Sequence, residues 1–324
     1  MSQYKTILGV GATLMDLLAH VDDSFIATSG SPKGGMTLVD PDTQRKLVGA
    51  LTAPPSEAPG GSACNTMVGL AKLGCKARFL GRRGADAVGD RLENALSAAG
   101  LQLALVKGAE DNGCVLSCVT PDAQRTMFTS LAASAAFVPS EIDESCFEGV
   151  GLVYIEGYLL VNAPLFDALL EIASRRRIPV ALDCGSFEVV GIFRDRLLEL
   201  LGQKAISILL ANEDESRALT NTDPEPSLEW IAQHVDVAVV KLGARGALLA
   251  QGAKRAVVAA TPVAHVLDTT GAGDLWAAGF LAGLDKERDL AACGQLASHV
   301  AAEAIQVLGA QIPEAGWRRL GSAA

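Results

Sequence analysis

Beyond residue 150 the chain alternates short, wholly apolar segments with longer helix-patterned ones, and this alternation constrains the fold more than any other feature. "GLVYIEG" is followed by a helical pattern over about Pro164 to Arg177, then by "IPVALD". A further helix leads to "AISILLAN", and helices separate that segment from "DVAVVKLG". Apolar runs of this length, with no polar residue at alternate positions, predict strands buried on both faces. Helices between them supply the crossovers a parallel sheet needs, so the expected class is α/β, a three-layer α/β/α core around a mostly parallel sheet.

The N-terminal third has a different texture. "KTILGVGATLMDLLAHV" reads as one or two strands bent near Gly9 and Gly11, and "ACNTMVGLAKL" as a helix that Gly74 ends. "ARFLG" follows as a strand, and a second helix covers about Asp86 to Ala99. The stretch from Ser29 to Pro59 is rich in Gly and Pro, with a short strand in "GGMTLVD". Between Leu101 and Leu131, "LQLALVKG", "CVLSCVT" and "RTMFTSL" are joined by the turn formers Asp111-Asn112-Gly113 and Pro121-Asp122, which predicts an antiparallel meander. The expectation is one domain over residues 1–324. Segments of about 12–42 and 101–131 would form a small antiparallel β-sheet lid over the larger sheet.

Of the 324 residues 49% are hydrophobic, enough for a large core, and the formal net charge is −10. That balance carries no nucleic-acid footprint. No signal-like leader and no apolar run of membrane-spanning length is visible, so the expected location is cytoplasmic, with no membrane partner. The seven cysteines are scattered through apolar segments without zinc-ligand spacing, and are expected to be reduced and buried.

The chemistry concentrates in "VAHVLDTTGAGDLWAAGFLAGL", from Val263 to Leu284, where an apolar, strand-like segment runs into Gly271-Ala272-Gly273-Asp274 and then a helix. Glycines at such a junction let backbone N–H groups converge on an anion, and the helix start adds partial positive charge. Asp274 is then a carboxylate beside a phosphate site, suited to accept a proton from an attacking hydroxyl. An acid in the first turn of a helix also suits the helix dipole without any function. Asp16 stands among apolar residues in "ATLMDLLAHV" and needs partners if buried, as a sugar-binding carboxylate would have. "PGGSACNT" offers Gly60 and Gly61 for close backbone approach and Asn65 for a polyol, or else an ordinary loop capped by Ser62. "ANEDES" places Asn212 and Glu215 three apart after a strand, where they could orient Mg²⁺-bound water. "KLGARG", with Lys241, Gly243 and Gly246, could let a nucleotide lie on its backbone, and Arg125 could reach a phosphate from the lid. Gly9-x-Gly11 lacks the third glycine of a dinucleotide fingerprint, and no P-loop motif occurs.

Together "DTTGAGD", "PGGSACNT" and Asn212-x-x-Glu215 resemble the signatures of the ribokinase-like (PfkB) family of sugar and nucleoside kinases. "GATLMD", "KGGMTLVD", "PDAQRTM" and "IEGYLL" are most similar to its adenosine-kinase-like branch. The resemblance implies ATP and Mg²⁺ as cosubstrates, often a stimulating K⁺-type monovalent cation, and a monomer or homodimer. Asp274 would be the catalytic base, and Gly271, Ala272 and Gly273 the anion hole. Asp16, Gly60, Gly61, Asn65, Arg125 and Glu156 would hold the substrate. Asn212 and Lys241 to Gly246 would contact ATP, Glu215 would arrange the Mg²⁺ shell through water, and Asp268 with Thr270 would hold the monovalent cation. Departures at Ala12 and Cys64 lie near the acceptor site and bear on substrate identity. The reading is transfer of the γ-phosphoryl group to a primary hydroxyl of an adenosine-like nucleoside or a sugar. A ribose or fructose kinase and a non-catalytic binding relative are the alternatives. Phe25, Phe128 and Phe137 are the aromatics available to stack on a nucleobase.

Overall fold

A computed structural model describes residues 2–122 and 124–323. Its main sheet has nine strands. In spatial order they are Lys254–Val258 (β14), Ala247–Gln251 (β13), Val237–Lys241 (β12), Ile208–Asn212 (β11), Val180–Asp183 (β10), Val150–Glu156 (β9), Thr6–Val10 (β1), Ala77–Gly84 (β5) and Gln102–Gly108 (β6). All neighbours from β12 to β6 run parallel, and only the β12–β13 and β13–β14 pairings are antiparallel. The apolar runs behave as their composition predicts. In β9, Leu152 and Tyr154 face one core cluster and Val153 and Ile155 the other, so this strand is buried on both faces. Helices Ser62–Lys72, Ala87–Ala98, Ala272–Asp285 and Leu290–Ala304 cover the first face; Ala163–Arg176, Arg194–Gly202, Glu213–Thr220 and Pro224–Ile231 cover the second.

The smaller sheet has five strands, in the order Met36–Leu38 (β3), Arg125–Ser130 (β8), Gly113–Val119 (β7), Leu14–His20 (β2) and Ser56–Gly60 (β4). It carries the antiparallel β7–β8 hairpin and an antiparallel β2–β4 pair, with parallel β2–β7 and β3–β8 pairings besides. Its boundaries differ from the expected ones. "LQLALVKG" is not a lid strand: β6 lies in the main sheet, parallel to β5. Leu103 and Leu105 pack against one core cluster and Ala104 and Val106 against the other, the signature of a two-sided core strand. The Gly- and Pro-rich stretch contains the helix Pro41–Gly49, whose N-cap Asp40 accepts from the N–H of Thr43 at 2.8 Å, and it ends in β4. Proline in a first helical turn is a start signal, not a loop signal. The lid strands therefore lie within residues 14–60 and 113–130. The segment 262–270 before helix Ala272–Asp285 is not a strand; it runs as an exposed loop tied by the N–H of Leu267 to the Ile305 carbonyl at 2.8 Å.

The two faces of the lid differ. Met15, Leu17, Cys114, Leu116 and Phe128 are buried on its outer face. Cross-strand partners share a face, so Asp16, Leu18, Val115, Ser117, Arg125, Met127, Met36 and Leu38 lie together on the other. On that face Leu18, Val115 and Met127 are half-buried, and Met36 and Leu38 are exposed.

Candidate active site

In the main sheet the chain winds one way from β1 through β5 to β6 and the other way from β9 to β12. The switch point falls between β1 and β9, and a crevice opens outside the carboxyl ends of strands at such a point. Glu156 ends β9 there. Its two oxygens accept from the N–H groups of Ala12 and Ala63, both at 2.8 Å. Burial pushes this carboxyl up to about 7 against the pull of those two amides. Glu156 thus ties the β1–β2 turn to the start of helix Ser62–Lys72.

Asp274 lies in the first turn of helix Ala272–Asp285, behind Gly271 at φ 71°. An added Cβ at Gly271 would meet that of Ala310 at 2.5 Å, so the position requires glycine twice over. Ser62 Oγ donates to Asp274 Oδ1 at 2.8 Å and Asn65 Nδ2 donates to Oδ2 at 3.0 Å. Burial raises its pKa, opposed by those two bonds. Asn65 and Ser62 together thus fix the orientation of the Asp274 carboxylate. Ser62 is not the N-cap, which is Gly61 at φ 96°, and its hydroxyl is free to serve Asp274. The N–H of Ala272 donates to the Thr269 carbonyl at 3.1 Å.

A second cluster forms at the ends of β10, β11 and β12. Lys241 Nζ donates to Asp183 at 3.0 and 3.2 Å, and an added Cβ at Gly273 would stand 3.6 Å from it. Burial alone would pull the ammonium down, yet Asp183 and Glu215 hold it up. Asn212 and Glu215 close a reciprocal box: Glu215 accepts from the backbone and side-chain nitrogens of Asn212, both at 2.7 Å, and donates its N–H to Asn212 Oδ1 at 2.8 Å. Burial raises the Glu215 pKa. Gly243 and Gly246 turn the chain from β12 into β13. Gly246 (φ 97°) lacks a Cβ because the Val258 carbonyl occupies its place, a packing reason where backbone contact with a nucleotide was expected.

Asp16 projects from the lid toward these groups. Gly60 makes room for it: a Cβ there would lie 2.2 Å from Asp16 Oδ1. No described residue hydrogen-bonds the Asp16 side chain, and burial raises its pKa to about 6. The ionised form is therefore strained by desolvation until a ligand supplies donors. Relative to wild type, Asp16→Asn is expected to gain up to about 2 kcal/mol of stability between pH 5 and pH 8. The sign follows because a carboxyl with a raised folded-state pKa loses its stabilising contribution as pH rises through that value. Urea unfolding at the two pH values tests it; a difference independent of pH would remove the argument.

Arg125 reaches from β8 to the loop before the glycines. Its Nη1 donates to Asp268 Oδ2 at 2.8 Å and to Thr270 Oγ1, and its Nη2 to Ser117 Oγ at 2.8 Å. Among the expected aromatics, Phe128 and Phe137 are buried in the core and so are not platforms, while Phe25 packs partly buried against it. The sequence reading passed over Tyr158, which is 42% exposed beside the carboxylates. Its hydroxyl donates to the Gly185 carbonyl at 3.0 Å and its ring rests on Gly185, so the ring is held rigidly. Asp183 was also missed; its place at the end of an apolar core strand was the available signal.

The model of the family described as pfkB family carbohydrate kinase matches residues 36–315. The chain belongs to that family. It is 27% identical to adenosine kinase of Saccharomyces cerevisiae, over 94% of this chain and 96% of the yeast protein. Among solved structures it is similar to a probable sugar kinase from Rhizobium etli (30% identity, TM-score 0.89, 100% of this chain and 99% of that one). It is also similar to adenosine kinase from Sinorhizobium meliloti (32% identity, TM-score 0.88, 100% of both chains). This kinase is accordingly a phosphotransferase acting on a sugar or nucleoside hydroxyl. No helix among its described residues is long and apolar enough to cross a membrane.

Proposed function

We propose that this kinase transfers the γ-phosphoryl group of ATP to a primary hydroxyl of a nucleoside of the adenosine type, with Asp274 as general base. The observation that carries the reaction is the Asp274 carboxylate, fixed by Ser62 and Asn65 one turn into a helix whose start is glycine. In the reaction the acceptor oxygen forms a bond to the γ-phosphorus as its proton passes to Asp274. The bond from that phosphorus to the bridging oxygen breaks, and ADP departs with the electron pair. Gly271 and Gly273 N–H groups and the Lys241 ammonium face the charge that builds on the equatorial oxygens. Asp16 receives the acceptor's other hydroxyls, and the lid keeps water from competing as acceptor.

The pit holds Asp16, Glu156, Asp183, Glu215 and Asp274 against the Lys241 ammonium and the Arg125 guanidinium that acts on Asp16, so carboxyls outnumber cations and bare nucleotide phosphates would meet repulsion. Among the described residues no group of three or more acidic, His or Cys side chains could hold a metal ion by itself. Mg²⁺ would therefore arrive with the nucleotide and meet Asp183 and Glu215 through water, supplying the charge neutralisation the phosphates require.

The nucleoside class is supported by the walls. The lid face that carries Asp16 is otherwise lined by Leu18, Val115, Met127, Met36 and Leu38, and Tyr158 presents a fixed ring. A free sugar offers such walls little to bury, whereas a purine offers two apolar faces. We expect kcat/KM for adenosine to exceed that for ribose or fructose by about 10²-fold or more, the worth of burying a base. A coupled ADP-release assay over that panel decides it. Preferential turnover of a free sugar would overturn the nucleoside assignment and leave the phosphotransferase standing. ATP binding without turnover of any acceptor would favour a binding relative.

A further inference from the structure

We propose that the Arg125 guanidinium acts as a built-in monovalent cation for the Asp268–Thr270 turn, so that this kinase needs no potassium. The turn was expected to hold a K⁺-type ion through Asp268 and Thr270, but most of the acceptor positions those side chains offer are already taken. Asp268 Oδ1 accepts from the N–H of Thr270 at 2.9 Å, and Oδ2 from the N–H of Gly309 and from Arg125 Nη1, both at 2.8 Å. The same Nη1 donates to Thr270 Oγ1, so one nitrogen bridges the carboxylate and the hydroxyl that an ion would have bridged.

The guanidinium is not a chance surface partner. The Arg125 and Asp268 side chains are only 17% and 12% exposed, and Nη2 is fixed in addition by Ser117 on the neighbouring strand. A potassium ion added beside it would face a like charge at close range in a partly dry site and would find a single lone pair of the carboxylate unclaimed. The two cations therefore exclude each other. The resident one also does something a solvent ion cannot. It sits on the lid, so the turn that delivers Gly271 in its left-handed conformation is ordered by lid residues and not by salt.

The activity arm of the test rests on the kinase reading; the melting arm does not. Thermal unfolding is compared in potassium chloride and in tetramethylammonium chloride at equal ionic strength, with ATP turnover measured in the same buffers. Wild type is expected to show a Tm unchanged within about 1 °C and a turnover changed by less than about twofold. Arg125→Gln opens the oxygens to solvent cations, so potassium is expected to raise its Tm by about 3 °C or more and its turnover at least about fivefold. Stabilisation of wild type by potassium would overturn the proposal without any variant. A folded Arg125→Gln protein indifferent to potassium would overturn it as well. Melting that follows the expected pattern in a protein without turnover would count against the kinase reading alone.

Discussion

Asp274→Asn is expected to lower kcat by at least about 10²-fold, the lower end of what loss of a positioned general base costs, with ATP affinity nearly intact. The substitution is mild in structure. An asparagine carbonyl can still accept from Asn65 Nδ2, and its amide can donate to Ser62 Oγ once that hydroxyl turns to accept. The scaffold thus survives while the proton acceptor is lost. Because burial holds the Asp274 pKa above the ordinary carboxylate range, the acid limb of the wild-type kcat/KM profile should also lie above that range. Steady-state kinetics with equilibrium nucleotide binding checks both parts. An unchanged kcat would take Asp274 out of the mechanism, and a loss confined to KM would make it a binding group.

Lys241→Met should produce the largest change in stability, a loss of about 3–5 kcal/mol at pH 8. Methionine keeps most of the stem's packing and removes only the ammonium that Asp183 and Glu215 share. Two buried carboxylates are then left to repel each other, and their ionised forms become costly. Burial already raises the Glu215 pKa and the ammonium opposes it, so without Lys241 the Glu215 value rises further, and a carboxyl with a raised folded-state value loses stabilisation as pH increases through it. The deficit should therefore be smaller at pH 6 than at pH 8, a slope that wild type shows more weakly. Denaturant unfolding at both pH values measures it. A deficit under about 1 kcal/mol at pH 8, or one flat in pH, would show that Lys241 does not carry the cluster.

Much of this architecture is legible in the chain. Apolar runs such as "GLVYIEG" and "DVAVVKLG" can only be buried on two sides, so the parallel core follows from composition and period alone. The glycine–helix junction at Gly271 to Asp274 is likewise local, because a left-handed residue and a helix start are written into neighbouring positions. Local patterning fails where two folds share one pattern. "LQLALVKG" next to turn formers reads equally as a hairpin strand or a core edge strand, and only its pairing with β5 decides. Residues 262–270 carry strand-like composition, yet their N–H groups find the 305 segment and not the sheet.

The site divides the same way. The sequence by itself determined which side chains are candidates for chemistry: Asp274, Asp16, Asn65, Glu156 and Lys241 all stand at strand ends, at helix starts or alone among apolar neighbours. Tertiary structure decided which partner each one meets. Gly60 leaves room for Asp16, Ser62 donates to Asp274, Asp183 accepts from Lys241, and Arg125 donates to Asp268. The reason is range. Backbone propensity and apolar period act between residues a few positions apart, whereas these partners lie from 44 up to 212 positions apart in sequence and meet only when the sheet's switch point and the lid bring them together.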